Sequence, residues 1–93
     1  MTFSFQNVKF GKHSQENGLM LSGEVSNTSG KSYSSVVFVA IVFIKNFPAG
    51  TVTFPINGFN VGQTKTFEVR VGELEFSRAS EITRYEIYAE SAY

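Results

Sequence analysis

The sequence predicts an all-β domain, an antiparallel immunoglobulin-like sandwich of about six to seven strands, on three observations. An apolar run from Val36 to Ile44, inside Ser35–Lys45, is dominated by β-branched and aromatic side chains, a composition that fits a central strand. Other segments alternate apolar and polar residues with the two-residue period of a half-buried strand. Short clusters of Gly, Asn, Ser and Pro separate these segments and supply turn signals.

In chain order, Phe3, Phe5, Val8 and Phe10 mark a first strand over Phe3–Phe10. The apolar spacing lengthens between Phe5 and Val8, so an extra residue near Gln6-Asn7, a β-bulge, or a switch of sheets is expected there. Gly11–Gly18 is polar, ends in Asn-Gly and reads as a hairpin connection. Leu19, Leu21, Gly23 and Val25 then alternate with Met20, Ser22, Glu24 and Ser26, the clearest half-buried strand in the chain. Asn27–Ser34 is a loop whose small polar side chains suit bonding to their own backbone.

The central strand follows, ended by turn-like residues over Asn46–Gly50. Val52, Phe54 and Ile56 alternate along Thr51–Ile56, and Pro55, which has no N–H to donate, places that strand at a sheet edge. Asn57-Gly58 and Val61-Gly62 punctuate the next loop, after which Phe67, Val69 and Val71 mark another strand. Gly72–Ser80 reads either as a loop anchored by Leu74 and Phe76 or as a short helical turn. Glu81–Ala92 alternates again and closes the fold.

Composition excludes several functions. A 93-residue chain is one domain with a single modest core. Eight basic residues balance eight acidic ones with no block of like charge, so the electrostatic footprint of a nucleic-acid binder is missing. Cysteine is absent, His13 is the sole histidine and every acid is Glu. That pattern argues against thiolate, zinc and calcium sites, and no cofactor or metal is expected. Glu73 and Glu75 are close enough to be imagined as paired carboxylates, yet in an extended segment they are two solvated side chains. No Gly-x-Ser-x-Gly or glycine-rich phosphate loop occurs, so no catalytic residue is assigned and an enzyme is not expected.

The apolar run is too short for a membrane-spanning helix. The first residues carry neither a basic nor an apolar signal region, which fits a cytoplasmic protein or an excised piece of a longer one. Asn27-Thr28-Ser29 matches the N-glycosylation pattern, and an asparagine stabilising a turn explains it as well.

Gly23-x-Val25-x-Asn27-x-Ser29, the hydrophobic strand after it, Gly50, and Val61-Gly62-Gln63-Thr64-x-x-Phe67-x-Val69 together resemble the FxLYD-type immunoglobulin-like domain over roughly residues 19–71. The eponymous motif falls on Ala40–Ile44, where Phe43 takes the aromatic position and Ile44 replaces the acidic one. The resemblance implies an immunoglobulin-like sandwich, without catalysis, in a bacterial or archaeal exported or cell-envelope protein. It also implies that Gly23 lets a large neighbour such as Phe38 or Phe67 approach the backbone, and that Asn27 ties down the loop leaving its strand.

The same alignment sets the phase of the central strand. Val36, Phe38, Ala40 and Val42 point inward, while Val37, Val39, Ile41 and Phe43 face outward on a side that ought to be solvated. Three readings of that outer face stand. The chain itself covers it through Phe3, Phe5 or Tyr93; it packs on a second copy or another protein domain; or it forms a ligand groove with Phe43, Phe47 and Phe59. Loop aromatics, with Tyr33, Phe47 and Phe59 foremost, are the candidates for recognising a glycan or other partner.

Overall fold

The computed structural model describes residues 2–93. The strands are β1 (Phe3–Lys12), β2 (Gly18–Asn27), β3 (Tyr33–Ile44), β4 (Phe47–Phe59), β5 (Thr64–Glu75) and β6 (Ile82–Ala92), with a 3₁₀ turn, Phe76–Glu81, before the last. They form two antiparallel three-stranded sheets in the orders β1-β2-β5 and β4-β3-β6. The fold is thus the expected all-β sandwich, with β3 central in its sheet.

The expected irregularity of β1 is a bulge. Pairing with β2 shifts between Gln6 and Lys9, and Asn7 takes a left-handed conformation, φ 55°. The extra residue keeps Phe3 and Phe5 on the same side of the sheet as Val8 and Phe10, all packed against the core. Pro55 lies in β4, at the edge where a missing N–H is tolerated.

The turn after β3 is tighter than the Asn46–Gly50 signal implies. Ile44 pairs with Phe47, leaving Lys45 and Asn46 as a two-residue loop with φ 52° and 64°. Two left-handed central residues give the twist that an antiparallel hairpin favours. Phe47 to Gly50 therefore already belong to β4, whose register slips once between Val42 and Phe43. The 72–80 segment is not a loop anchored by Leu74 and Phe76: Gly72–Glu75 continue β5, where Leu74 is 7% exposed, and the helical-turn alternative is met by the 3₁₀ turn Phe76–Glu81, in which Phe76 is 38% exposed.

The core lies between the sheets and is rich in stacked rings. Val36, Phe38, Ala40 and Val42 are fully buried, with Leu19, Leu21, Val25, Phe59 and Val71, each large side chain contributing about 1.5–3 kcal/mol. Phe38 meets Phe3, Phe5 and Phe54, and Phe54 stacks on Phe67 at 5.1 Å. One side of the sandwich is closed by β4 against β5: a Cβ on Gly50 would come within 2.9 Å of Val71 Cγ1, so only glycine permits that approach. Across the opposite side β1 faces β6, where Phe10 meets Tyr85 edge-on at 5.9 Å and a cleft of about 280 Å³ opens between Phe3, Phe5 and Ile87–Ala89.

Asn27 organises the end of the sandwich. It is 1% exposed, donates from Nδ2 to the Lys31 carbonyl at 2.7 Å and the Phe59 carbonyl at 3.0 Å, and accepts at Oδ1 from the Ser29 N–H and hydroxyl. Its backbone bonds to Gly62 and Gln63. The turn-stabilising explanation of Asn27 therefore holds: Nδ2 uses both hydrogens inside the fold, and a glycan there is incompatible with the folded domain. Gly23 meets its expectation with Phe67, whose Cζ would lie 3.1 Å from an added Cβ.

Candidate functional site

The two outer faces of the sandwich differ in chemistry. On β1-β2-β5 the outer side is polar: Gln6 donates to Ser4 and Ser26, Ser26 bonds Thr64, and Asn7 donates to Glu24. A shallow cleft of about 410 Å³ there is lined by side chains such as Lys9, Glu24, Thr66 and Glu68, a mixture that water solvates. On β4-β3-β6 the middle strand presents Val37, Val39, Ile41 and Phe43 in a row, none of them part of the inter-sheet core. The outward phase expected for these four residues is the one observed.

Their cover comes from neighbours in the same sheet. Val37 is flanked by Pro55 and Ser91, Val39 by Thr53 and Tyr88, Ile41 by Thr51 and Glu86, and Phe43 by Pro48 and Arg84. The Arg84 guanidinium carbon lies 3.7 Å from the Phe43 ring centroid, a cation–π contact, and Arg84 also pairs with Glu86. Val39 and Phe43 are accordingly 6% and 7% exposed, whereas Val37 and Ile41 stay half-buried.

The expectation that Phe3 or Phe5 covers this face is corrected: both turn into the opposite, inner side and meet Phe38. Tyr93 stands at the margin, its hydroxyl accepting from Ser91, and is 71% exposed. What remains open is a shallow apolar stripe bordered by Thr51, Thr53, Pro55 and the half-exposed ring of Tyr88.

The loop aromatics separate. Phe47 is 74% exposed beside the β3–β4 turn. Phe59 is fully buried and stacks on Phe3 at 5.8 Å, so its assignment to loop recognition, and to a groove with Phe43 and Phe47, is overturned. The reason is local: Gly58 adopts φ 64°, which rotates the chain and turns Phe59 inward over Asn27. Tyr33 is half-buried and lies 6.3 Å from Phe3, far in sequence and structure from the Phe47 turn. These three rings do not form one platform.

The titratable groups are surface groups. His13 Nδ1 accepts from the Gln15 N–H at 3.1 Å, which holds the β1–β2 turn. Glu73 and Glu75 are exposed, as expected of solvated side chains. Arg78 bonds Glu81 at 3.1 and 3.3 Å, and that hydrogen bonding, then charge attraction, holds the Glu81 carboxyl below its ordinary range. Among the described residues no cluster of three or more His, Cys, Asp or Glu is placed to hold a metal ion, and no helix is long and apolar enough to cross a membrane.

The fold and surface together define a small antiparallel sandwich with one polar sheet face and one whose central strand is apolar between mostly polar flanks. Comparison with protein-family models, with curated proteins and with solved structures yields no match to this chain.

Proposed function

We propose that this chain is a non-catalytic protein-interaction module whose β4-β3-β6 face packs on another protein domain or on a second copy of the chain. The observation that carries this reading is the row Val37, Val39, Ile41 and Phe43 on the outer side of a central strand, where an antiparallel sandwich is ordinarily polar. The opposite face of the same molecule follows the ordinary rule. Val39 and Phe43 are covered within the sheet, and the part of the row left open is Val37 and Ile41 beside the ring of Tyr88, 47% exposed; exposed apolar area marks contact surfaces.

A glycan platform is the weaker reading, because Phe59 is in the core and Phe47 stands without a second ring beside it. The resemblance to FxLYD-type domains supports an exported or cell-envelope setting and the absence of catalysis. Photo-crosslinking in the source cell tests the proposal: a photoreactive residue at position 41 is expected to trap a discrete protein adduct that the same residue at position 66, on the polar face, does not.

A further inference from the structure

Asn-Gly occurs twice in the chain, at Asn17-Gly18 and at Asn57-Gly58, and the fold holds the two pairs differently. Where glycine follows asparagine, the glycine peptide nitrogen meets little steric obstacle on its way to the asparagine side-chain amide, because glycine carries no Cβ. Attack requires the peptide unit between the two residues to turn until that nitrogen reaches Cγ. The bonds that must open for this turn therefore set how readily each site reacts.

Asn57 lies inside β4, opposite Ser35 and between the pairs Ile56–Val36 and Phe59–Tyr33. Its carbonyl also accepts from Lys65 Nζ at 3.0 Å, and the next side chain but one, Phe59, is fully buried. Turning the backbone there means opening the end of a sheet.

Asn17 is exposed and lies outside the strands, last in the loop between β1 and β2. One backbone bond holds it: its carbonyl accepts from the Phe76 N–H at 2.7 Å. The Gly18 carbonyl, which accepts from the His13 N–H at 2.9 Å, lies beyond the peptide unit that turns. A register shift separates the Gly18–Glu75 pair from the ladder that starts at Met20, so the Phe76 bond opens without disturbing that ladder.

We propose that Asn17 is a site of spontaneous deamidation and isoaspartate formation, and that the reaction releases the tether between the β1–β2 loop and the turn Phe76–Glu81. The Gly18 nitrogen gives up its proton and bonds to Asn17 Cγ, while the side-chain nitrogen takes a proton and leaves as ammonia. Water, the only co-reactant, then adds to one carbonyl of the cyclic imide; the bond from that carbon to the Gly18 nitrogen breaks, and the nitrogen regains a proton. Addition at Cγ leaves aspartate. Addition at the main-chain carbonyl leaves isoaspartate, in which the chain runs through Cβ and Cγ and the carbonyl bonded by Phe76 becomes a carboxylate off the main chain. The extra main-chain atom ahead of Gly18 takes that acceptor out of register with Phe76. The new charge also stands next to Glu16, so two carboxylates compete for Arg70.

Incubation in heavy-oxygen water at mildly alkaline pH, folded and in denaturant, followed by peptide mapping with mass spectrometry, tests this without any substitution. In denaturant the two sites are expected to convert at similar rates, because the dipeptide is the same. In the folded chain Asn17 converts, takes up one heavy oxygen and gives mainly isoaspartate, while Asn57 is slower by roughly tenfold or more, since the sheet must open first. Amide exchange at Phe76, read by NMR, is faster in the isoaspartate form by roughly tenfold. Conversion at Asn57 as fast as at Asn17 in the folded chain, an Asn17 that stays an amide while the denatured chain converts, conversion without heavy oxygen, or a Phe76 N–H equally protected in both forms overturns the proposal. None of these readings depends on the β4-β3-β6 face.

Discussion

Arg84 and Phe43 sit opposite one another on β6 and β3, with the guanidinium carbon 3.7 Å from the ring centroid. The contact explains how one end of an apolar sheet face is shielded without a covering loop. The guanidinium lies over the ring face while one of its nitrogens pairs with Glu86 at the surface. Arg84→Ala is expected to cost about 0.5–1 kcal/mol, because the arginine side chain is 46% exposed and solvent screens the pair. Chemical denaturation measures the loss, and the Phe43 ring gains solvent exposure.

Asn27 is the most concentrated hydrogen-bonding side chain in the fold. Asn27→Ala leaves the Lys31 and Phe59 carbonyls and the Ser29 donors without that partner, at an expected cost of about 2–4 kcal/mol. Thermal unfolding reads the change. The Asn27→Ser variant, which cannot reach both carbonyls, is expected to recover little.

The Lys45-Asn46 turn holds a lysine at φ 52°, a conformation that costs a residue with a long side chain more than it costs asparagine or glycine. Replacing the pair with Asn-Gly, by Lys45→Asn with Asn46→Gly, is expected to stabilise the hairpin by about 1 kcal/mol. A rise in the unfolding midpoint checks it.

Much of the fold is legible in the residues. The lengthened spacing from Phe5 to Val8 encodes the bulge at Asn7, whereas Val36–Phe43 is apolar throughout and its core side follows only from the alignment with the FxLYD-type pattern, which fixes the whole run because strand side chains reverse face at every step. Phe59 is illegible for the same reason: Gly58 resets the phase by taking φ 64°, and glycine in a sequence does not announce which sign its φ will take. The cover over the candidate face is also hidden, since it depends on β4 and β6 flanking β3, and pairing order is a long-range property. Pro48 and Gly50 obscure the turn, being turn-formers that here lie within a strand.

Glu81 titrates below an ordinary glutamate because Arg78 hydrogen-bonds its charged form and attracts it. Its folded value is depressed, so its small contribution to stability is present above the unfolded value and disappears as the pH falls through the folded one. Carboxyl chemical shifts followed against pH are expected to show Glu81 moving up toward the ordinary range in Arg78→Ala.

The central claim is that the outer face of β3 meets a protein. Ile41 lies mid-row, half-buried between Thr51 and Glu86, where lysine can rise to water beside Glu86 without entering the core. In the source cell, a photoreactive residue is placed at Val37, the other half-buried position of the row, in chains with and without Ile41→Lys. The predicted result is a discrete protein adduct in the chain that keeps Ile41, lost in the Ile41→Lys chain while the unfolding midpoint is nearly unchanged. Adduct formation that is absent from Val37, or indifferent to Ile41→Lys in a folded chain, contradicts it.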